Sequence, residues 1–552
     1  MMNPTRSKRS PLLSGAVIAT TTILALSACS SGTSPSADSD GEIEPVLRSP
    51  AGTEAVESIT WNMTSGEPDT LNPPNVPTYS GLALVANLCD SLLTVDENGD
   101  TVPGLTEVEI ESPTRIVFTL RSAANFWDGS PVTADDIVFS LNHAASPTSY
   151  MAPKYQNVTS IEALSDTEVA VEFSEPDATF LPTMVGAGGA VMQRDFSEAA
   201  GESIGTPGTG LMCSGPFKLD NWQPGSGIQI SKNEDYWDAD RQPLVNEVNF
   251  TFVNDTSALT QALTTGEIDG GWEIPTSAVP ALSNSDTGAL FFGDTTSVWS
   301  LRVANPESPL ASEEALRQAF HHLIDREAVA RVVFHQAAAP WASAISANSW
   351  PSSVQDKALD EYEANTANRQ YDPELAKQLV SEAGAEGLEL EVIVPSGDEV
   401  ATQLAQLVQD QVASTGMSLS IRSLQPLEYA EAMYDPSVRG SSDLLLSVNG
   451  DVVQEPLASI RYFYLPDALY NWDGFVDQEV SDLFASAISE LDVEARTDFT
   501  FEIQRIVEAH GATVAIVNPY QVNFVNDRLG GVITGSFYTN MPSLTYIGGV
   551  SQ

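Results

Sequence analysis

The chain has 552 residues, of which 24 are Lys or Arg and 75 are Asp or Glu, so its formal net charge is -51. An acidic surface of this strength repels phosphate backbones and argues against nucleic acid as a partner. The length exceeds what one hydrophobic core supports, so we predict a body of two or three lobes.

The first 28 residues have the organisation of a secretory signal. Three basic residues precede a mostly apolar run, residues 12–26, which is too short to cross a bilayer. The sequence LSAC at residues 26–29 resembles the box at which bacterial lipoproteins are cleaved and lipidated. We therefore predict that residues 1–28 are removed and that Cys29 carries a lipid anchor at the outer face of the cell membrane. The alternative is an ordinary signal with an incidental cysteine.

The next segment, residues 29–57, is predicted to be a flexible tether. It is dominated by Ser, Gly, Pro, Ala and acidic residues, which bury too little apolar surface to fold. Beyond it, no apolar run approaches the roughly 18 residues that a membrane helix needs. We expect the rest of the chain to be a body held outside the membrane by this tether.

Two cysteines remain after Cys29 is assigned to lipidation. Cys89 and Cys213 are an even number of thiols in an oxidising compartment, and only one pairing is open to them. The sequence favours a disulfide between them, and two buried free thiols are the alternative.

Short alternating segments and capped helices follow along the chain. Thr133 and Asp136 form a capping box ahead of a helix, and residues 312–329 place apolar side chains on one face of a predicted helix. Strands are predicted where apolar and polar residues alternate, at SITWNM (58–63), RIVFTLR (115–121), EVAVEF (168–173) and NEVNFTFV (246–253).

The region after residue 370 predicts a crossover unit. A helix with an Asp-Pro start is bracketed by Asp372 and Gly384. A strand at 388–395, a helix at 400–413 and a strand at 419–424 come next. This order is typical of a right-handed crossover in a parallel or mixed sheet, so the predicted fold class is α/β.

Six stretches, in this order, resemble the landmarks of one protein family. They are residues 101–141, 213–250, 263–272 (LTTGEIDGGW), 316–329 (LRQAFHHLIDREAV), 371–384 (YDPELAKQLVSEAG) and 471–484 (NWDGFVDQEVSDLF). The second includes a Gly-Pro-Phe-Lys-Leu strand and an Asn-x-x-Tyr-Trp turn. Together with the lipoprotein signal, they resemble the extracytoplasmic solute-binding lipoproteins of ABC importers, family 5, the dipeptide and oligopeptide class. The resemblance covers roughly residues 57–545.

The resemblance implies a type II periplasmic-binding-protein clamp, whose two lobes close on a ligand by hinge motion. Hinge strands would lie near residues 295–305 and 514–525. The family also implies a monomer that works with the permease subunits of an importer, without catalytic residues, cofactor or metal. The implied segments are residues 57–85, 206–297 and 519–552 for lobe I, residues 86–205 for a subdomain inserted in lobe I, and residues 298–518 for lobe II.

The resemblance also implies a peptide ligand whose ammonium group pairs with Asp451 in the sequence SVNGD. The tryptophan that often stands three residues before this aspartate in peptide binders is Val448 here. A non-peptide solute, such as a metal chelate or a small amine, is therefore the alternative. A turn role for Asp451, and core packing for the aromatic residues, are the structural alternatives. The other implied ligand-binding residues are Asn449, Gly450, Tyr79, Ser80, Gly81, Trp299, Asn471, Trp472 and Tyr520.

Other functional classes fit the sequence poorly. A secreted lipoprotein hydrolase needs an activated nucleophile or a metal, and the chain has no Ser-x-x-Lys or His-Glu-x-x-His pattern. Residues 96–107 place acidic residues at EF-hand positions, but Thr101 replaces the required glycine and Pro103 interrupts the loop. We interpret DENGD as a hairpin turn. A purely structural surface protein would not need the six landmarks.

Overall fold

The computed structural model describes residues 43–121 and 124–551. The predicted signal, residues 1–28, and the predicted lipidation site Cys29 therefore lie outside the described residues. The described chain is mixed α/β, as predicted, and its strands form two large sheets and three smaller ones.

In the described chain, one large sheet has seven strands and the other has six. In spatial order, the first comprises Gly288–Gly293, Gln521–Asn526, Gly270–Trp272, Val56–Met63, Val245–Thr251, Gly227–Lys232 and Phe217–Gln223. The second comprises Ala338–Pro340, Thr513–Pro519, Val298–Val303, Leu444–Asn449, Glu389–Pro395 and Ser418–Leu424. The first draws on segments that the sequence assigned to lobe I, and the second on residues assigned to lobe II.

The smaller sheets, as far as the chain is described, are antiparallel. Four strands of the inserted segment pair in the order Thr106–Ser112, Arg115–Leu120, Glu168–Phe173 and Val158–Ala163. Leu93–Val95 pairs with Thr101–Pro103 around the DENGD turn, as predicted, and Leu529–Gly530 pairs with Gly548–Gly549.

The helices cover the faces of these sheets. No helix of the described chain combines the length and the apolar character needed to cross a membrane. The α-helices are Tyr79–Leu88, Ala134–Ala144, Arg194–Ala200, Thr256–Thr265, Val279–Leu282, Pro309–Ser312, Glu314–Leu323, Arg326–Val332, Gln355–Thr366, Pro373–Glu382, Glu399–Ser414, Pro426–Tyr434, Pro436–Arg439, Pro456–Phe463, Gln478–Ser489 and Val493–His510.

Most local signals in the sequence are confirmed. Thr133 and Asp136 form the capping box of the helix that begins at Ala134, and Asp372 caps the helix that begins at Pro373. The predicted crossover is also confirmed, since Glu389–Pro395 and Ser418–Leu424 pair in parallel. These agreements arise because caps and strand alternation depend on neighbours in the sequence.

The single helix predicted over residues 312–329 is wrong. The structure has two helices, Glu314–Leu323 and Arg326–Val332, with a break at Ile324. Asp325 is the N-cap of the second helix, because its side chain accepts a hydrogen bond from the Ala328 backbone N–H at 2.9 Å.

The prediction that the tether extends to residue 57 is also wrong. The Val46 N–H donates to the Phe292 carbonyl at 2.8 Å, and the Ser49 N–H donates to the Val532 carbonyl at 2.8 Å. The strand Val56–Met63 then lies inside the seven-stranded sheet. Backbone pairing with distant residues orders this segment, although its composition is typical of a linker.

Cys89 and Cys213 are joined in the structure, with Sγ atoms 2.02 Å apart. The next residue, Asp90, accepts hydrogen bonds of 2.8 Å from Tyr236 and Trp237, the aromatic pair of the Asn-x-x-Tyr-Trp turn. This landmark therefore has a structural role, because its two aromatic residues donate hydrogen bonds to a buried carboxylate beside the bridge.

In the described chain, two short connections join the large sheets. One runs from Gly293 to Val298 and the other passes through Tyr520. They lie side by side, since the Thr295 hydroxyl donates to the Pro519 carbonyl at 2.7 Å. Paired connections of this kind are typical of a hinge between two lobes.

Candidate functional site

Two adjoining cavities lie between the lobes. The larger has a volume of about 850 Å³ and the smaller about 460 Å³. Tyr79, Ser297 and Val448 line both cavities and form the wall that they share. A concave site between two lobes is where proteins of this architecture enclose small solutes.

The smaller cavity is rich in aromatic side chains from three parts of the chain. Tyr79 comes from lobe I, Tyr150 from the inserted subdomain, and Tyr462, Phe463 and Tyr470 from lobe II. Such walls favour apolar or aromatic groups of a ligand.

Asp451 lies in the smaller cavity and already has a positively charged partner. Its Oδ2 atom is 3.2 Å from the Lys154 Nζ atom, and the two side chains are 19% and 17% exposed. Burial opposes the charge of Lys154, but the nearby Asp451 carboxylate raises the pKa of this lysine. The Lys154 ammonium also lies 5.6 Å from the ring centroid of Tyr462. The structure therefore neutralises Asp451 with a lysine of the inserted subdomain.

The loop that carries Asp451 is fixed to one of the hinge connections. The Thr296 hydroxyl donates a hydrogen bond to the Asp451 carbonyl. A side chain at Gly450 would lie 2.8 Å from the Thr296 carbonyl oxygen. Only glycine therefore allows the backbone of the loop to come this close to the hinge connection. Asn449 donates to the Ser447 hydroxyl at 2.8 Å. Movement of this hinge connection would therefore be transmitted to the loop.

The larger cavity contains a different carboxylate, that of Glu273. Burial in the cleft raises the pKa of Glu273 to about 7, although hydrogen bonds with the Ser65 and Tyr538 side chains act in the opposite direction. The pKa of Tyr538 is raised well above its usual value by burial and by Glu273. Glu273 forms no ion pair with any described Lys, Arg or His.

The strand Gly270–Trp272 positions Glu273. A side chain at Gly270 would lie 2.4 Å from the Trp61 ring. The glycine therefore allows the strand to pack against the Trp61 ring. Trp272 contacts Trp61 edge-on and stacks on Tyr538, with ring centroids 5.0 and 4.5 Å away. Glu273 thus directly follows a residue that packs between two other aromatic rings, Trp61 and Tyr538.

Six of the implied ligand-binding residues line the cavities and four do not. Asn449, Gly450, Asp451, Tyr79, Trp299 and Tyr520 line one or both cavities. The other four, Ser80, Gly81, Asn471 and Trp472, are absent from the lining of both.

These four residues have structural contacts instead. The Ser80 hydroxyl donates to the Gly66 carbonyl at 2.5 Å, and a side chain at Gly81 would lie 2.4 Å from Val76. The Asn471 side chain donates to the Phe475 carbonyl at 2.6 Å. Trp472 is buried between the guanidinium groups of Arg302 and Arg439. Their predicted ligand role is therefore not supported, because packing and local hydrogen bonds occupy them.

The inserted subdomain contacts lobe II directly, which closes one side of the cleft. An Asp177 carboxylate oxygen lies 3.4 Å from an Arg461 nitrogen, and the Ala178 N–H donates to the Ile488 carbonyl at 2.8 Å. In addition, the Gln454 side chain donates to the Asn98 carbonyl at 3.0 Å.

Sequence reasoning missed Glu273 and Lys154. Glu273 directly follows the landmark LTTGEIDGGW, so an acidic residue just beyond a glycine-rich strand was a usable signal. Lys154 had no such signal, because it lies in a short 3-10 helix, Ala152–Tyr155, that is 297 positions away from Asp451 in the sequence. Within the described chain, no cluster of three or more His, Cys, Asp or Glu is arranged to hold a metal ion.

The chain is similar to known transport proteins. Residues 100–471 match the family model of bacterial extracellular solute-binding proteins, family 5 Middle. The chain is 22% identical over 493 residues to the glutathione-binding protein GsiB of Shigella boydii, an alignment that covers 87% of this chain and 92% of that protein.

Two solved structures with a TM-score of 0.73 share the fold. One is the periplasmic binding protein DppA from Helicobacter pylori in complex with the peptide STSA, at 18% identity over 90% of this chain and 99% of that one. The other is AgaA from A. tumefaciens R10 in complex with agropinic acid, at 21% identity and the same coverage.

The predicted two-lobed clamp is thereby confirmed, because these relatives are two-lobed periplasmic binding proteins. The family model covers well over half of the chain, and members of this family are extracytoplasmic transport proteins rather than enzymes. The chain therefore belongs to family 5 of the bacterial extracellular solute-binding proteins and is a substrate-binding protein of an ABC importer.

Proposed function

We propose that this protein captures peptides, from dipeptides to oligopeptides, outside the cell membrane and delivers them as a monomer to permease subunits. The observation that carries the proposal is the interlobe cleft, in which two adjoining cavities of about 850 and 460 Å³ share a wall. An extended peptide suits such a space, because its backbone and side chains occupy successive pockets. The DppA complex with a peptide, and the glutathione-binding relative, support this ligand class.

A non-peptide solute is the second candidate. Val448 lines both cavities and is 46% exposed, so a small side chain stands where peptide binders often have tryptophan. The AgaA complex with agropinic acid supports this candidate, since that ligand is not a peptide. The two candidates differ in a property that is directly measurable, the presence of a peptide bond in the ligand.

The test is to identify the solutes that the protein carries from cells. The mature chain is purified without denaturation from cells grown in rich medium, then denatured, and the released small molecules are identified by mass spectrometry. We expect peptides of two or more residues, because a closed cleft retains its ligand through purification. A released fraction that consists of solutes without peptide bonds would contradict the peptide proposal and support the second candidate.

We also propose that Cys29 anchors the protein to the membrane through a lipid. The variant Cys29→Ala is expected to release the protein from the membrane fraction, because the acylated cysteine would supply the anchor. Ser31→Ala, a matched change two residues away, is expected to leave fractionation unchanged. Intact mass of the two variants reports whether lipid is attached, and a Cys29→Ala protein that stays with the membranes would refute the anchor.

A further inference from the structure

We propose that Glu273, in the larger cavity, binds a positively charged group of the transported solute, either an ammonium or a guanidinium. The proposal rests on the proposed function, because it assumes that the solute binds between the lobes. It adds the chemical class of the solute, which is cationic or zwitterionic. It also assigns the binding of the positive group to Glu273 instead of Asp451.

Asp451 in the smaller cavity and Glu273 in the larger one differ in their partners. Asp451 has Lys154 at 3.2 Å, so a ligand cation there must compete with a tethered lysine. Among the described residues, Glu273 forms no ion pair, and the hydroxyl groups of Ser65 and Tyr538 form hydrogen bonds with it. A carboxylate withdrawn from water is costly unless a cation compensates it, and a ligand cation at Glu273 would meet no competing lysine or arginine in the described lining of this cavity.

The lining of the larger cavity carries negative charge. Its described lining has three carboxylates, Glu273, Asp398 and Glu399, together with His335, and contains no Lys or Arg. Asp398 is committed to capping a helix, since it accepts a hydrogen bond from the Ala401 N–H at 2.9 Å. The remaining negative charge attracts cations and repels anions.

The walls of the larger cavity are rich in aromatic side chains. Tyr79, Trp299, Tyr520 and Tyr538 line the larger cavity, and aromatic faces attract ammonium and guanidinium groups. The cavity thus combines a carboxylate with aromatic surfaces, which is the combination that recognises organic cations.

The backbone is strained at the edge of the same cavity. Glu273 and His335, which line the larger cavity, and Gln336 beside them have φ angles of 57°, 52° and 70°. Non-glycine residues adopt this left-handed region at a cost, and such residues cluster at ligand sites where the side chain must be aimed. The strain at Glu273 therefore supports a binding role over a packing role.

The experiment compares the solutes carried by the wild type, Glu273→Gln and Glu267→Gln, all produced as the mature chain in the same rich medium. Glu267→Gln is the matched control, because Glu267 is exposed on the same lobe and lines neither cavity. We expect wild type and Glu267→Gln to carry solutes with an amine or guanidine group. Glu273→Gln should carry at most about a tenth as much, since a buried charge pair is lost.

A second measurement uses defined probes on stripped protein. The probes are trialanine and N-acetyltrialanine, which differ in one positive charge, and binding is measured by calorimetric titration. Acetylation should weaken binding to the wild type at least about tenfold and should have little effect on Glu273→Gln. The melting temperature of each variant verifies folding, and Glu273→Asp provides a second variant that retains the charge.

The outcomes separate this inference from the proposed function. If Glu273→Gln carries as much solute as the wild type, the role of Glu273 is refuted even if the solute is a peptide. If the wild type carries a cationic solute without a peptide bond and Glu273→Gln loses it, the inference holds and the peptide proposal fails. A wild-type solute without any positive group overturns the inference.

Discussion

Replacing Glu508 by glutamine is expected to lower the free energy of unfolding of the protein by about 3–5 kcal/mol, the usual cost of breaking a buried ion pair. Glu508 and Arg369 form an ion pair in lobe II, and both side chains are 4% exposed. Glu508 also accepts hydrogen bonds from the Ser343 hydroxyl at 2.6 Å and the Ala344 N–H at 2.9 Å. The neutral amide leaves the Arg369 charge buried without a counter-ion.

The matched control for this prediction is Glu361→Gln. Glu361 pairs with Arg505 at 2.6 Å, but the two side chains are 21% and 40% exposed, so water compensates the loss. The control should therefore lose no more than about 1 kcal/mol. Urea denaturation of the ligand-free proteins, followed by tryptophan fluorescence, measures both changes. Equal losses in the two variants would show that burial of the Glu508–Arg369 pair does not determine how much the pair contributes to the free energy of unfolding.

The second large effect concerns the dependence of stability on pH. The pKa of Glu273 is raised to about 7 in the folded protein, above the value of about 4.3 in an unfolded chain. At a pH between these two pKa values, Glu273 holds a proton in the folded state and has released it in the unfolded state. The contribution of Glu273 is therefore most favourable below about pH 4 and is lost as the pH rises through 7.

Glu273→Gln should remove this loss, because the amide does not ionise. At about pH 8 the ligand-free variant should exceed the wild type in stability by about 3–4 kcal/mol, and at about pH 4.5 the two should be nearly alike. Tyr79 and Tyr538 face Glu273 and ionise above this range, and His335, Asp398 and Glu399 line the same cavity and are present in both proteins. Thermal unfolding measured across this range tests the sign.

The control for the pH experiment is Glu267→Gln, an exposed carboxylate whose removal should leave the pH profile unchanged. A Glu273→Gln profile that coincides with that of the wild type would show that Glu273 ionises normally in the fold. If the expected difference is found, the wild type keeps a destabilising charge in its cleft. A bound cation would relieve that cost, which links the stability of the protein to the binding of its solute.

The sequence was sufficient for elements whose causes are local. Strand alternation predicted Glu168–Phe173, and the capping box predicted the helix that begins at Ala134. The same local reasoning failed over residues 312–329, because Asp325 acts as a cap inside an otherwise continuous apolar pattern. An aspartate in the middle of a helical pattern is either a residue inside one helix or the N-cap of a second helix. Only the backbone conformation distinguishes these two cases.

The candidate site was predictable only in part, for the same reason. The loop 449–451 was found because its sequence resembles a family landmark, and it does line the cleft. Its electrostatic state was not found, because Lys154 reaches Asp451 across 297 positions of sequence. Glu273 was overlooked because its distinction is desolvation, which a sequence does not display.

By itself, the sequence determined the fold class, the family and the position of one loop in the cleft. Each of these depends on periodicity, capping or a motif, which are properties of neighbouring residues. The tertiary structure alone decided that Lys154 neutralises Asp451, whereas no lysine or arginine of the described chain pairs with Glu273. It also decided that residues 46–56 join lobe I. The physical reason is that solvent exposure, the distance between charges and backbone pairing depend on residues that the folded chain brings together from far apart.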